Sequence, residues 1–145
     1  MQQMQQQAST VETSVPHNVE VVKRLFEAFA RRDVEAVVAL AHPDVKILPV
    51  TAHIARGGRA YEGRAGIREY MADASRLWEE LELVPIQYEA VVNAVVAIGE
   101  VRARGAGGEL RQPAVWTWKL REGLIVDGRV HSDVKAAREA LGAPR

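Results

Sequence analysis

The chain has 145 residues, 48% hydrophobic and 26% charged, with 19 lysines and arginines against 19 aspartates and glutamates. That length suits one domain able to bury its own core, and a formal net charge of +0 gives no electrostatic footing for nucleic acid or an anionic membrane surface. The lack of cysteine excludes disulfides, thiol nucleophiles and thiolate metal sites, and no apolar run approaches the roughly 20 residues of a membrane span.

Residues 1–17 are rich in Gln, Ser and Thr, poor in apolar side chains, and read as a flexible tail closed by Pro16. They show no basic segment followed by an apolar core, so a secretory leader is not expected and a cytoplasmic protein is. The domain is expected over residues 18–145. Asn18 is placed to cap a helix running to about Arg32. Val21, Val22, Leu25, Phe26 and Phe29 recur at three- and four-residue spacing along it, forming one apolar stripe. Asp33 can cap a second helix, Val34–Ala41, stopped by Pro43. Asp44–Val50 reads as a strand whose Pro49 suits an edge or bulge, and Thr51–Glu62 as a loop around Gly57-Gly58. A long helix is expected from Gly63 to Leu81, with Ile67, Tyr70, Met71, Ala74, Trp78 and Leu81 on its stripe.

From there to Asp133 the pattern is β. Glu82–Ala90 alternates weakly around Pro85. Val91–Arg104 carries Val96 and Ile98 on one face and Val95 and Val101 on the other, as expected of a strand covered on both sides. Gly105–Glu109 makes a hairpin loop. The stretch Gln112–Asp133 then reads as two strands around an Arg121-Glu122-Gly123 turn. Alternation puts Ala114, Trp116, Trp118 and Leu120 on one face, with Val115, Thr117 and Lys119 on the other. Ser132 or Asp133 caps a last helix, Val134–Leu141. Early helices followed by a four-strand meander specify an α+β fold.

The order of these elements, with YEGRAGIREYM opening the third helix and VWTWKLREGLIVDGRVHSD closing the meander, resembles the SnoaL-like (polyketide cyclase-like) family of the nuclear transport factor 2-like superfamily. The resemblance spans about Asn18 to Leu141. It implies a cone-shaped α+β barrel with three N-terminal helices packed on a curved, mostly antiparallel sheet and a short C-terminal helix. It also implies a deep apolar pocket, a homodimer formed through the outer face of the sheet, and no metal or organic cofactor. Members include polyketide cyclases, ketosteroid isomerase and limonene epoxide hydrolase, so the fold does not name the chemistry.

Carried over residue by residue, the resemblance places the isomerase's tyrosine donor near Leu25, its general base at Leu48 and its second acid near Ala114–Trp116. The aspartate shared by the hydrolase and the cyclase falls at Val130. None of these positions can ionise. The arginine–aspartate pair of the hydrolase has an echo in Glu100 and Arg102, on a face that alternation leaves solvated.

The remaining candidates are histidines and aromatics. His53 lies in the loop expected over the cavity mouth, where binding residues concentrate; if the domain is an enzyme, His53 is its acid or base. His131 points outward, beside Asp127 and Arg129, if Val126, Gly128 and Val130 face the pocket; a one-residue slip reverses this. His42 reads as a helix-end residue, and no His, Asp or Glu group has metal-ligand spacing. Phe29, Tyr70, Trp78, Trp116, Trp118 and Val130 are the expected walls of a site for a small apolar or aromatic ligand, flat or polycyclic, with the indole N–H groups and the phenol as hydrogen-bonding handles. Two functions follow: a cofactor-independent isomerase, cyclase or hydrolase, or a non-catalytic ligand-binding or dimerisation module.

Overall fold

The computed structural model describes residues 10–142. Helix α1 spans Thr10–Ala30, so it begins well before Asn18, which is buried within it rather than capping it. Residues 1–9 of the expected tail lie outside the described residues, and the rest of that segment joins α1. The apolar stripe is as expected: Val21, Val22, Leu25, Phe26 and Phe29 are all buried. Arg32 adopts a left-handed backbone, φ 57°, and reverses the chain. Asp33 then caps α2 (Val34–Ala39), its side chain accepting a hydrogen bond from the Ala36 N–H.

The next segment departs most from the sequence pattern. Strand β1 is Ala41–Leu48, starting before Pro43, so His42 belongs to a strand rather than a helix end. Its Nδ1 accepts from the Asp44 N–H at 3.0 Å. Pro49 lies outside the strand and opens a short helix, α3 (Val50–Ala55), where a loop was expected. Proline's fixed φ and missing N–H cost nothing at such a start. A six-residue helix rich in β-branched residues has no stripe long enough to register as periodicity.

Strand β2 (Tyr61–Glu62) leads into α4 (Gly63–Leu77). Ile67, Tyr70, Met71 and Ala74 are buried on one side of α4, as the stripe requires. The helix stops four residues short of Leu81: Trp78 already has extended backbone and opens β3 (Trp78–Val91). Trp78 and Leu81 fit a helical stripe by spacing, and no Gly or Pro marks the boundary. Pairing of β3 with β4 (Ala94–Gly105) over the whole length of the hairpin decides the conformation. Val92-Asn93 is the turn, so Val91–Arg104 is not one strand. Pro85 fits where the register shifts between Pro85 and Gln87, opposite Gly99. A Cβ on Gly99 would lie 1.9 Å from the Val84 carbonyl oxygen, so only glycine lets the chains approach there.

Strands β5 (Gly108–Arg121) and β6 (Leu124–His131) complete the meander. Glu122 and Gly123, φ 56° and 77°, form the two-residue turn between them. The sheet order is β2-β1-β6-β5-β4-β3, antiparallel throughout except for the parallel β1–β6 pair. Helices α1, α2 and α4 pack on the inner face in one core with Trp116, Trp118, Leu120 and Ile125. On the outer face, α5 (Val134–Ala140), capped by Asp133, covers Val96 and Val115 with Ala137. The domain is α+β, with N-terminal helices on a six-stranded sheet. Among the described residues, no helix is long and apolar enough to cross a membrane.

Candidate functional site

The two faces of the β5–β6 hairpin are assigned by its pairing. Trp116 opposes Val130, Trp118 opposes Gly128 and Lys119 opposes Asp127, but Leu120 opposes Ile125. Val126 is therefore an extra residue on β6, a bulge that lets both Ile125 and Gly128 face inward. The expectation that Val126, Gly128 and Val130 share the pocket holds for the last two; Ile125 takes the place of Val126.

Inside this face lies a cavity of about 60 Å³. Helix α1 supplies Leu25, Phe26 and Phe29, and α4 supplies Ile67 and Tyr70. Strand β1 brings Val45, Ile47 and Leu48, while the hairpin contributes Trp116, Trp118, Ile125, Gly128 and Val130. Of the expected wall residues, Phe29, Tyr70, Trp116, Trp118 and Val130 are all brought together. Trp78 is not: it sits at the start of β3, its indole N–H donating to Thr51 Oγ1 at 3.2 Å. His53 is exposed on α3 and does not line the cavity. Phe26 and Ile125 join the wall without having been singled out. Phe26 could have been, since it lies on the same stripe as Leu25 and Phe29.

The wall is an aromatic cluster. Phe26 meets Trp116 edge-on at 5.1 Å and Trp118 at 5.6 Å, and Phe29 stacks on Tyr70 at 5.6 Å with an interplanar angle of 12°. Arg32, at the end of α1, braces this group. Its guanidinium donates to the Phe29 and Leu81 carbonyls at 2.8 and 2.7 Å and lies 4.4 Å from the Phe29 ring centre.

Among the described residues, none that lines the cavity is an aspartate, glutamate, histidine, lysine, serine or threonine. Leu25, Leu48 and Val130, the positions to which the resemblance carries catalytic groups, all border the cavity, and all are aliphatic. Ala114 is buried in the core beside them. Arg129 also borders the space, but its guanidinium is turned to the opposite face, with Nε 3.1 Å from Asp127 Oδ1. The polar groups available inside are thus a phenol and indoles. Burial holds the Tyr70 hydroxyl well above the ordinary phenol range, so it stays neutral at physiological pH. The Trp118 indole N–H is buried with no acceptor among the described residues. Gly128 makes room for that ring: a Cβ there would fall 2.4 Å from Trp118 Cζ3.

The titratable groups of the hairpin sit on the outer face. Thr117 Oγ1 and His131 Nε2 are 2.9 Å apart, so His131 points outward, as alternation with Gly128 and Val130 inside requires. Burial, then the Arg129 charge, lowers the His131 pKa, against weaker opposing effects of Asp127 and Asp133. Glu100 also lies outside, accepting from Arg102 at 3.1 Å and Arg111 at 2.8 Å, which lowers its carboxyl pKa. Among the described residues, no three His, Asp or Glu side chains gather as a metal-binding group.

A family description, the SnoaL-like domain, matches residues 22–128 of this architecture. The chain belongs to the SnoaL-like domain family. No curated protein matches it. Among solved structures, the SnoaL-like domain is similar to TerC, crystallised with polyporic acid, at 23% identity and a TM-score of 0.72, covering 88% of this chain and 99% of that one. A nuclear transport factor 2-like protein of unknown function from Burkholderia pseudomallei matches at 22% identity and a TM-score of 0.72, with 88% and 98% covered. A protein provisionally assigned as a polyketide cyclase, from Xanthomonas campestris, matches at 18% identity and a TM-score of 0.70, with 85% and 95% covered. At these identities the likeness establishes the nuclear transport factor 2-like fold.

Proposed function

We propose that this SnoaL-like domain is a non-catalytic binding module that takes a small apolar molecule, of about single-ring size, between its helices and the inner face of its sheet. The observation that carries this reading is the composition of the wall: Leu25, Leu48 and Val130, where the resemblance would place catalytic groups against the cavity, are all aliphatic. General acid–base chemistry needs a titratable group within hydrogen-bonding reach of the reacting atom. Here His131 and Asp127 of the hairpin lie on the other side of the sheet, and His53 lies outside the wall. That TerC, similar in fold, was crystallised with polyporic acid supports a small-molecule-binding role.

Size limits the ligand. About 60 Å³ is far below the ~300 Å³ of pockets that hold drug-sized molecules and under the ~150 Å³ of an engineered cavity that admits benzene. A polycyclic ligand does not fit, and a single ring enters only as the aromatic walls give way. Titration of the protein with α-methylstyrene is expected to quench tryptophan fluorescence saturably and to raise Tm. An unchanged spectrum and Tm up to the solubility limit would overturn the reading.

The small volume favours one second reading, a module whose filled cone serves as a rigid core for homodimerisation through the outer sheet face. It expects a dimer mass by light scattering at micromolar concentration together with no response to any apolar probe; a monomer mass would remove it.

A further inference from the structure

We infer that the outer face of the sheet carries a second binding site, a groove for a small amphiphilic anion whose head meets Lys119 and whose alkyl tail lies against the β3–β4 turn. The site is separate from the inner cavity and does not rest on the function proposed for that cavity. Two hollows open side by side here. One, of about 310 Å³, is lined by Thr117, Lys119, Asp127, Arg129 and Ala140. The other, of about 390 Å³, is bordered by Val91, Val92, Val126 and Leu141, and again by Lys119. Lys119 thus joins the two, and the consecutive residues Ala140 and Leu141 at the end of α5 form a common edge. Each hollow reaches the ~300 Å³ at which ligand pockets begin, whereas the inner cavity is about 60 Å³.

The two hollows differ in chemistry. In the first, Thr117 Oγ1 is taken by His131 Nε2 at 2.9 Å, and Arg129 is paired with Asp127 at 3.1 Å. Lys119 stands across from Asp127 in the β5–β6 register, but that carboxylate is held by Arg129. Among the described residues Lys119 has no ion-pair partner. It is the uncompensated charge of the groove, and an ammonium that only donates calls for an anion. In the second hollow, Val92 is 75% exposed in a turn position that ordinarily takes Gly, Asn or Asp, and Val91 beside it is 47% exposed. Val126, the extra residue of the β6 bulge, and Leu141 extend this apolar side. Arg121 also borders it and is paired with Asp44 at 3.6 Å. Lys119 pairs with Ala94 across the sheet, two residues from Val92, so the charge and the apolar tip lie about 7 Å apart along the strand. An anionic head and an alkyl tail on one molecule satisfy both hollows. A purely apolar ligand or a small hydrophilic anion uses only half of the groove.

The test uses octanoate, with 1-octanol and octylammonium as controls for the head and acetate as the control for the tail. Amide NMR of the full chain is expected to show octanoate moving the Val92, Lys119 and Leu141 resonances saturably, while acetate and octylammonium leave them in place. Calorimetry should find octanoate binding about three- to fivefold more tightly than 1-octanol, the worth of one exposed ion pair, with a margin that shrinks as salt is added. Lys119→Gln should abolish that margin, and Val92→Ser should weaken octanoate and 1-octanol alike, by about threefold. Both positions are exposed, and circular dichroism checks the fold of each variant. No response to octanoate, or a response confined to inner-face residues such as Ile125 and Val130, overturns the inference, whatever α-methylstyrene does in the inner cavity. A dimer by light scattering whose groove resonances ignore octanoate also overturns it, by giving the face to a second copy. Co-sedimentation with phosphatidylglycerol vesicles without octanoate binding overturns it in favour of a lipid surface.

Discussion

The two faces of the β5–β6 hairpin are built from the same residues in alternation, yet they share almost no chemistry. Inward lie Trp116, Trp118, Ile125, Gly128 and Val130, all apolar in bulk and all bordering one cavity. Outward lie Thr117, Lys119, Asp127, Arg129 and His131, with a histidine–threonine contact and an arginine–aspartate pair. The difference teaches that a suggestive cluster of titratable residues near the end of a strand is worthless to a cavity on the other side of the sheet. One peptide of register separates the two outcomes, and the bulge at Val126 sets it.

The contrast can be broken first at the inner face. Phe26→Ala removes the ring that meets both tryptophans and is expected to cost about 3–5 kcal/mol, read as a fall in the urea midpoint. A loss under about 1 kcal/mol would mean that the aromatic cluster is not the centre of the core. Next in size, Gly128→Ala drives a methyl into Trp118, at 2.4 and 2.6 Å from its ring carbons. Overpacking of this kind costs about 1–3 kcal/mol, and the displaced indole should shift its fluorescence maximum and close the cavity to apolar probes. Unchanged emission with unchanged stability would show that the ring does not lie over β6.

The smallest effect belongs to the outer face and sharpens the comparison through pH. The folded His131 pKa is below its ordinary value of about 6.5, so the unfolded chain binds more protons between the two values and stability rises with pH there. The contribution is fully present above about pH 6.5 and is lost as pH falls through the folded value. His131→Gln, which can still hydrogen-bond Thr117, should flatten the decline of Tm on the acid side while leaving apolar probe binding intact. Parallel Tm profiles for variant and wild type would show that His131 is not desolvated. Altered probe binding would show that the faces are coupled.

Much of this molecule was legible in the chain itself. The stripe Val21–Phe29, the Asp33 and Asp133 caps, the meander and both faces of β5 follow from local periodicity and capping, which depend only on neighbouring residues. Five of the six expected wall residues followed as well, because strand alternation and the hollow fold of the resembled family together say which side is inside. Tertiary structure decided the rest. The change from α4 to β3 at Trp78 is set by pairing with β4, a partner more than 20 residues away whose hydrogen bonds outweigh a helical spacing that runs on to Leu81. His53 lies on α3 rather than in the expected loop, because that helix is too short to leave a periodic signal. The inward turn of Ile125 comes from a bulge that exists only relative to β5. The unpartnered Trp118 N–H is likewise a property of its surroundings: sequence determines that an indole has a donor, and only packing determines whether the protein supplies its acceptor.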